Sequence, residues 1–309
     1  MKNKIYFGSL AVVLAAFLWS LDGLLRRSLY SLPPGVIVFW EHLLGLVVLL
    51  PLILPRMRAL RSFTKKQWVA IVGVAFLSGL LGTLFYTAAL GKIQYIQFSV
   101  VVLLQQLQPL FAIAFAGLLL KEPLTKRFGA LTVIALVAAY FVSFPDLRVH
   151  LAQGSGNIVA ALLALGSAVA WGSSTAFSKY SLRNMSTLHV TALRFAFTSF
   201  FAFGLVVVKG QTSILGRVTP SQWGYLLAIT FSTGMIALAI YYFGLKRIPA
   251  SRSTLLELTW PISAVALGYL FFNEQLAWTQ ILGSLVLIVT MIQVARDAQR
   301  ITPPILPLP

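Results

Sequence analysis

Ten runs of mainly apolar residues fill almost the whole chain and leave it few ways to fold. They cover roughly 5–25, 34–54, 67–90, 95–119, 126–144, 157–178, 187–208, 220–244, 250–272 and 277–295. A run of about 20 apolar residues spans the hydrocarbon core of a bilayer as a helix. In lipid, only helices and closed barrels satisfy every backbone polar group. These runs are continuous rather than alternating, which argues against a barrel. Composition agrees: 59% of the 309 residues are hydrophobic and 10% are charged, whereas an ordinary globular domain carries about 25% charged residues. A soluble enzyme, a disordered chain and a nucleic-acid partner are all disfavoured together. The net charge of +17 fits loops that face anionic lipid. There is no cysteine, and three histidines do not argue for a metal, so neither a metal nor a cofactor is expected.

Orientation follows from the distribution of Lys and Arg. With the N-terminus inside, 17 basic residues fall on inner segments and 6 on outer ones, and Arg194 lies within a span. Both termini are therefore expected in the cytoplasm of an inner (plasma) membrane protein. The first run follows Met1-Lys-Asn-Lys and continues to Leu25 with no small-x-small cleavage site, so it reads as an uncleaved span.

The two halves repeat each other. Leu18-Trp19-Ser20 returns as Ala170-Trp171-Gly172, Gln67-Trp68 as Gln222-Trp223, and Tyr86 as Tyr241. Leu104-Gln105 with Pro109 returns as Leu256-Glu257 with Pro261, and Glu122-Pro-Leu124 as Glu274-Gln-Leu276. The offset stays between 152 and 155. Five spans per copy is an odd number, so the second copy enters the membrane upside down. The expected fold is an all-α integral membrane protein with ten transmembrane helices in two inverted-topology five-helix repeats. The repeats cover 5–145 and 156–297, and a proline-rich cytoplasmic tail covers 298–309. Inverted repeats are the architecture of secondary transporters, whose substrates bind near the midplane between the copies.

The ten-span layout, the repeated Trp19 and Trp171, and the Glu-x-Leu that follows the fourth and ninth spans resemble the drug/metabolite transporter superfamily of EamA type. The resemblance covers about residues 5–295. It implies a carrier of small organic solutes in which the first four helices of each half surround a cavity and the fifth packs outside. It does not specify a substrate.

Ionisable groups within spans are functional candidates by default. Helix rise puts Asp22, Glu41, His42 and Gln105 at an outer level and Arg194 and Glu257 at an inner one. Glu41 occupies the repeat position of Arg194, and Gln105 that of Glu257. Arg194 and Glu257 are expected to pair across the seventh and ninth helices, as a lock or a gate. Asp22 and Arg26 are four apart and can pair locally. Glu41 then has no partner in sequence besides His42, Arg26 or Arg27, and an isolated carboxyl would bind a substrate amine or a coupling proton. Gln97, Gln105 and Gln108 share one helical face, expected to line the cavity or an interhelical contact. Trp19, Tyr86, Trp171, Tyr241 and Trp260 offer aromatic surface with a polar edge. Pro109 and Pro261 remove backbone donors in mid-helix, which makes them hinge candidates. Ala160, Ala164, Ala168 and Gly172 form a small-residue ladder for close packing. Glu122 and Glu274 read as helix-end residues at the headgroup level.

No Walker loop, Rossmann fingerprint, metalloprotease motif or nucleophile elbow is present. The expected activity is alternating-access transport, as export, driven by the solute gradient or by H+. The solute would be a small amphipathic metabolite such as an amino acid or amine. The expected partners are that solute and the lipid bilayer, with the chain a monomer or homodimer. A membrane-embedded lipid-modifying enzyme and a non-transporting receptor or scaffold are the alternatives. Acids dispersed through span interiors disfavour the enzyme.

Overall fold

The computed structural model describes residues 2–92, 94–120, 125–144, 156–245, 247, 256–257 and 259–301. Among these, regular structure is helical only. The spans are α1 Lys2–Arg27, α2 Pro34–Ile53, α3 Lys65–Leu90, α4 in two pieces (Phe98–Gln105 and Gln108–Leu120), and α5 Lys126–Ser143. The second copy supplies α6 Gly156–Asn184, α7 Thr187–Val208, α8 over 220–245, α9 Thr259–Phe272 and α10 Trp278–Ile301. The chain is an all-α multi-pass membrane protein built from two copies of a five-helix unit. One expectation moves: α10 continues to Ile301, so the tail does not begin at 298. Asp297, just before this added turn, pairs with Arg127 of α5 at 3.0 Å. Residues 302–309 and Glu122 lie outside the described residues.

Local chemistry sets the helix starts. Thr64 caps α3 by accepting from the Gln67 amide, and the Gln67 side chain returns to the Thr64 amide. Thr219 and Gln222 repeat this capping box on α8. Each box satisfies amide donors that the first turn would otherwise leave open. Thr125 and Ser186 cap α5 and α7 in the simpler way.

The copies interlock rather than sit side by side. α1 packs on α8 and α9, and its repeat mate α6 packs on α3 and α4, the mates of those two. α2 pairs with its own mate α7, and α5 with its mate α10. This pattern maps onto itself when the copies are exchanged, as a pseudo-two-fold axis requires. Ala160, Ala164 and Ala168 are fully buried. At Gly172 a Cβ would come within 2.6 Å of the Gln108 carbonyl and 3.0 Å of the Ala112 amide. The ladder therefore lets α6 approach the α4 backbone.

Two departures from ideal helix recur at repeat positions. α3 widens to π geometry over Ala75–Gly82, and α8 does so over Ile229–Ile236. Widened turns misalign backbone carbonyls and are common at functional sites. Here the Ala75 carbonyl accepts from Thr198 at 3.1 Å and the Ser78 carbonyl from the Trp171 indole at 3.0 Å. In addition, α4 is broken at Gln106–Leu107, and α9 restarts at Thr259 just after a turn at Glu257. Pro109 and Pro261 thus sit in the first turns of new helical pieces, where a missing N–H is harmless.

Candidate functional site

A cavity of about 530 Å³ lies at the centre of the bundle, within the roughly 300–1,000 Å³ typical of small-molecule sites. Its lining comes from α1 to α4, from α6 to α8 and from the start of α9 with Glu257 just before it; α5 and α10 contribute nothing. The end of the bundle where α1 begins is called inner below. The lining reaches Ser178 and Val190 near the inner end. At the other end it stops at Arg26, Glu41 and Tyr86. Beyond them Leu29, Leu32 and Ile37 pack with Leu226 and Ile229 in a closed apolar cluster.

The charged centre of the site is Arg26. Its Nε donates to Asp22 at 3.0 Å, and its Nη1 donates to Glu41 at 2.9 Å and to the Thr87 hydroxyl at 3.0 Å. Thr233 on α8 donates to Asp22 at 2.7 Å. Arg26 is 3% exposed. A guanidinium fork can hold two carboxylates from different helices at once, which a lysine cannot do with comparable geometry. Glu41 is therefore not an isolated carboxyl. Both outer acids are engaged by one cation, which weakens the expectation that either waits for a substrate amine.

Asp22, Glu41, His42 and Gln108 line the cavity. His42 is buried, with Nδ1 2.9 Å from the Val38 carbonyl. Arg194 and Glu257 line the same chamber. Glu257 accepts from the Tyr241 hydroxyl at 2.8 Å, and Arg194 lies within electrostatic range of Glu41 and His42. The two levels read from sequence thus meet in one cavity. Of the two places expected for its face, Gln105 takes the interhelical contact rather than the cavity: its amide donates to the Ala164 carbonyl at 2.9 Å and to Ser167 at 2.6 Å on α6. The break after it turns α4 so that Gln108, rather than Gln105, faces inward.

All five aromatic candidates line the cavity, and four of them form two matched pairs. Trp171 meets Tyr86 at a centroid distance of 5.4 Å. Trp19 and Tyr241, the repeat mates of that pair, also meet. Each pair joins a tryptophan of one copy to a tyrosine of the other. Among the described residues, the Tyr86 hydroxyl and the Trp260 indole N–H are buried without a hydrogen-bond partner. Donors in that condition call for a reason, and both belong to cavity-lining residues.

Sequence reasoning missed the hydroxyls of Ser78, Thr230 and Thr233, which reach the site from the widened turns of α3 and α8. No sequence signal marks them, since Ser and Thr in helices commonly bond their own backbone. Thr230 and Thr233 do this as well as facing the site. Glu274 follows the end of α9, as a helix-end residue, but its side chain is largely covered and paired with Arg27 at 2.6 Å, a partner the sequence did not indicate.

Comparison with known proteins agrees with this architecture. The EamA-like transporter family matches at residues 6–144 and again at 158–296. The chain belongs to the EamA-like transporter family. It is 33% identical over 298 residues to the riboflavin transporter ImpX of Fusobacterium nucleatum, covering 96% of this chain and 99% of that one. It is 24% identical over 293 residues to the pseudopaline exporter CntI of Pseudomonas aeruginosa, covering 94% and 96%. An uncharacterized inner membrane transporter of Escherichia coli, YhbE, is 23% identical over 287 residues, covering 90% and 84%. A solved crystal structure superposes with a TM-score of 0.59 at 20% identity over 95% of this chain and 97% of its own, which shows the fold. This EamA-like chain is a membrane transporter.

Proposed function

We propose that this EamA-like protein is an alternating-access carrier for a flat, polar heteroaromatic solute of the riboflavin type. The observation that carries the reading is the chamber between two symmetric Trp–Tyr pairs, with its charges already compensated. Aromatic faces stack on planar rings, and the donors of Tyr86 and Trp260 suit ring carbonyls or nitrogens. The acids are held by Arg26, so a neutral solute pays no charge mismatch. The 33% identity to a protein named as a riboflavin transporter supports the same choice. Substrate and transition between open states draw on one machinery. Pro109 and Pro261 sit at helix breaks, where a few residues can absorb the change, and Arg194 and Glu257 both line the chamber between them. Asp22 and Glu41 share Arg26, and protonation of one of these two carboxyls is the step that would couple H+ to transport. The excess of basic residues on inner segments supports a cytoplasmic position for both termini.

The test is transport by purified protein in proteoliposomes. Riboflavin flux is followed by flavin fluorescence, in counterflow from both sides and after a pH jump, with an amino acid and an alkylamine as competitors. Saturable riboflavin flux that neither competitor inhibits is expected. Flux of the amine with none of riboflavin would return the acids to the role of amine receptors and sink the heteroaromatic reading.

A further inference from the structure

The outer end of the bundle carries a second buried charge cluster that the cavity does not use. Arg27, at the end of α1, pairs through Nη1 with Glu274 at 2.6 Å. The two side chains are 11% and 6% exposed. The Glu274 carboxylate also accepts from the Phe98 amide at 2.5 Å, the Ser99 amide at 3.0 Å and the Ser99 hydroxyl at 2.8 Å. These are first-turn donors of the outer half of α4, so Glu274 caps that helix from another part of the chain and meets its positive dipole end. Arg27 also lies over the Phe272 ring, 4.4 Å from its centroid, and Phe272 meets Phe98 edge to face.

The backbone is shaped to hold the carboxylate there. Asn273 takes φ 51°, the only positive φ at a non-glycine among the described residues. Asparagine tolerates that left-handed conformation better than most residues. It folds the chain back after α9, so that the Glu274 amide bonds the Gly268 carbonyl at 3.1 Å. A Cβ at Gly268 would collide with Ser99 Oγ and come within 2.6 Å of the Glu274 carboxylate.

Arg27, Phe98 and Ser99 belong to the first copy, and Gly268, Phe272 and Glu274 to the second. The contact joins α1 and α4 to α9 at the end where the cavity is closed. An outer opening that carries α1 or α4 away from α9 has to break this contact. We propose that the Arg27–Glu274–Ser99 cluster is the outer gate latch of the carrier, closed in this structure and released when the outer mouth opens. Breaking a buried pair is costly while both groups stay dry, and water entering the opening mouth removes that cost. In sequence, the offset of 152 relates Arg27 to Lys179, Ser99 to Ser251 and Glu122 to Glu274. Each copy thus encodes one base, one serine and one acid in matching places.

The latch rests on the family's transport activity and not on the identity of the solute, so its test reads accessibility. The chain has no cysteine, so single reporters can be placed directly. Thr83→Cys reports the cavity from the outer side, and Thr191→Cys from the inner side. Each is labelled in vesicles with a membrane-impermeant thiol reagent. Relative to either reporter alone, Glu274→Gln is expected to raise labelling at position 83 several-fold from outside and to lower labelling at position 191 from inside. Arg27→Gln leaves the helix cap in place and is expected to shift both rates the same way by a smaller factor. Should Glu274→Gln fail to fold, Arg27→Gln decides the matter. Unchanged rates at both positions, or a rise at both together, would overturn the latch. A loss of riboflavin flux with the reciprocal shift intact would count against the substrate alone.

Discussion

Trp19 of the first copy packs its ring against Tyr241 of the second, with centroids 5.0 Å apart and planes inclined at 51°. Exchanging the copies converts this pair into Trp171 and Tyr86, at 5.4 Å and 52°. The duplicated chain therefore builds one aromatic wall twice, on opposite sides of a chamber. Neither copy can build it alone, because each supplies the tryptophan to one wall and the tyrosine to the other.

If those walls hold a planar solute, losing one should weaken binding without unfolding the protein. An aromatic contact adds about 0.5–1.5 kcal/mol beyond simple burial, and about 1.4 kcal/mol is tenfold in affinity. Trp19→Ala is expected to raise the half-saturation concentration for riboflavin counterflow roughly tenfold. Trp19→Phe is expected to retain most of the affinity. Equal values for Ala and Phe would remove stacking from the account.

The Tyr86 hydroxyl gives a sharper separation of binding from folding. It is buried and without a hydrogen-bond partner among the described residues. Deleting an unsatisfied buried group is neutral or stabilising, whereas deleting one used by a ligand costs about 0.5–1.5 kcal/mol. Tyr86→Phe should leave Tm in detergent unchanged or higher, while apparent affinity falls a few-fold. A lowered Tm with unchanged affinity would make this hydroxyl purely architectural.

Arg26 is expected to be the least replaceable residue of the site. Its removal strands Asp22 and Glu41 in the bundle interior, and breaking a buried ion pair from one side costs about 3–5 kcal/mol. Arg26→Met should therefore be recovered poorly and melt far below the parent. The combined Asp22→Asn, Arg26→Met and Glu41→Gln variant should regain most of the stability while transporting poorly. Glu41→Gln alone, with Asp22 still on the arginine, should cost less in stability and alter the pH dependence of transport. Unchanged rate and pH dependence in that variant would end a coupling role for Glu41.

Two glycines in helices should respond in opposite directions. At Gly172 a methyl group meets the α4 backbone, and overpacking of this kind costs about 1–3 kcal/mol. At Gly224 nothing lies within 4 Å of the built Cβ, and alanine is favoured over glycine in a helix by about 0.5–1 kcal/mol. Thermal melting should show Gly172→Ala lowered and Gly224→Ala equal to or above the parent. A parallel response would mean that α6 and α4 are not in contact at Gly172.

Much of this was legible in the linear chain, because lipid imposes a simple code. Apolar runs of one membrane thickness marked the helices, and a near-constant offset marked the duplication. Trp19, Trp171, Tyr86, Tyr241 and Trp260 were found the same way, as aromatics within spans at repeated positions. What stayed hidden depended on helix rotation and on partners distant in sequence. Gln105 and Gln108 share a face on an ideal helix, but the break at Gln106–Leu107 separates them. Ser78 and Thr233 reach the chamber from widened turns that no composition signals.

The number of helices, the inversion of the second copy and the small-residue seam of α6 are properties of the residue order, since hydrophobic length and repeat parity are additive along a chain. The sharing of Arg26 between Asp22 and Glu41, the inward face of α4 and the seating of Glu274 on the start of that helix were decided only in three dimensions. Each requires groups from separate helices to meet at hydrogen-bond distance, and the packing of whole helices, rather than the preference of any one residue, sets that distance.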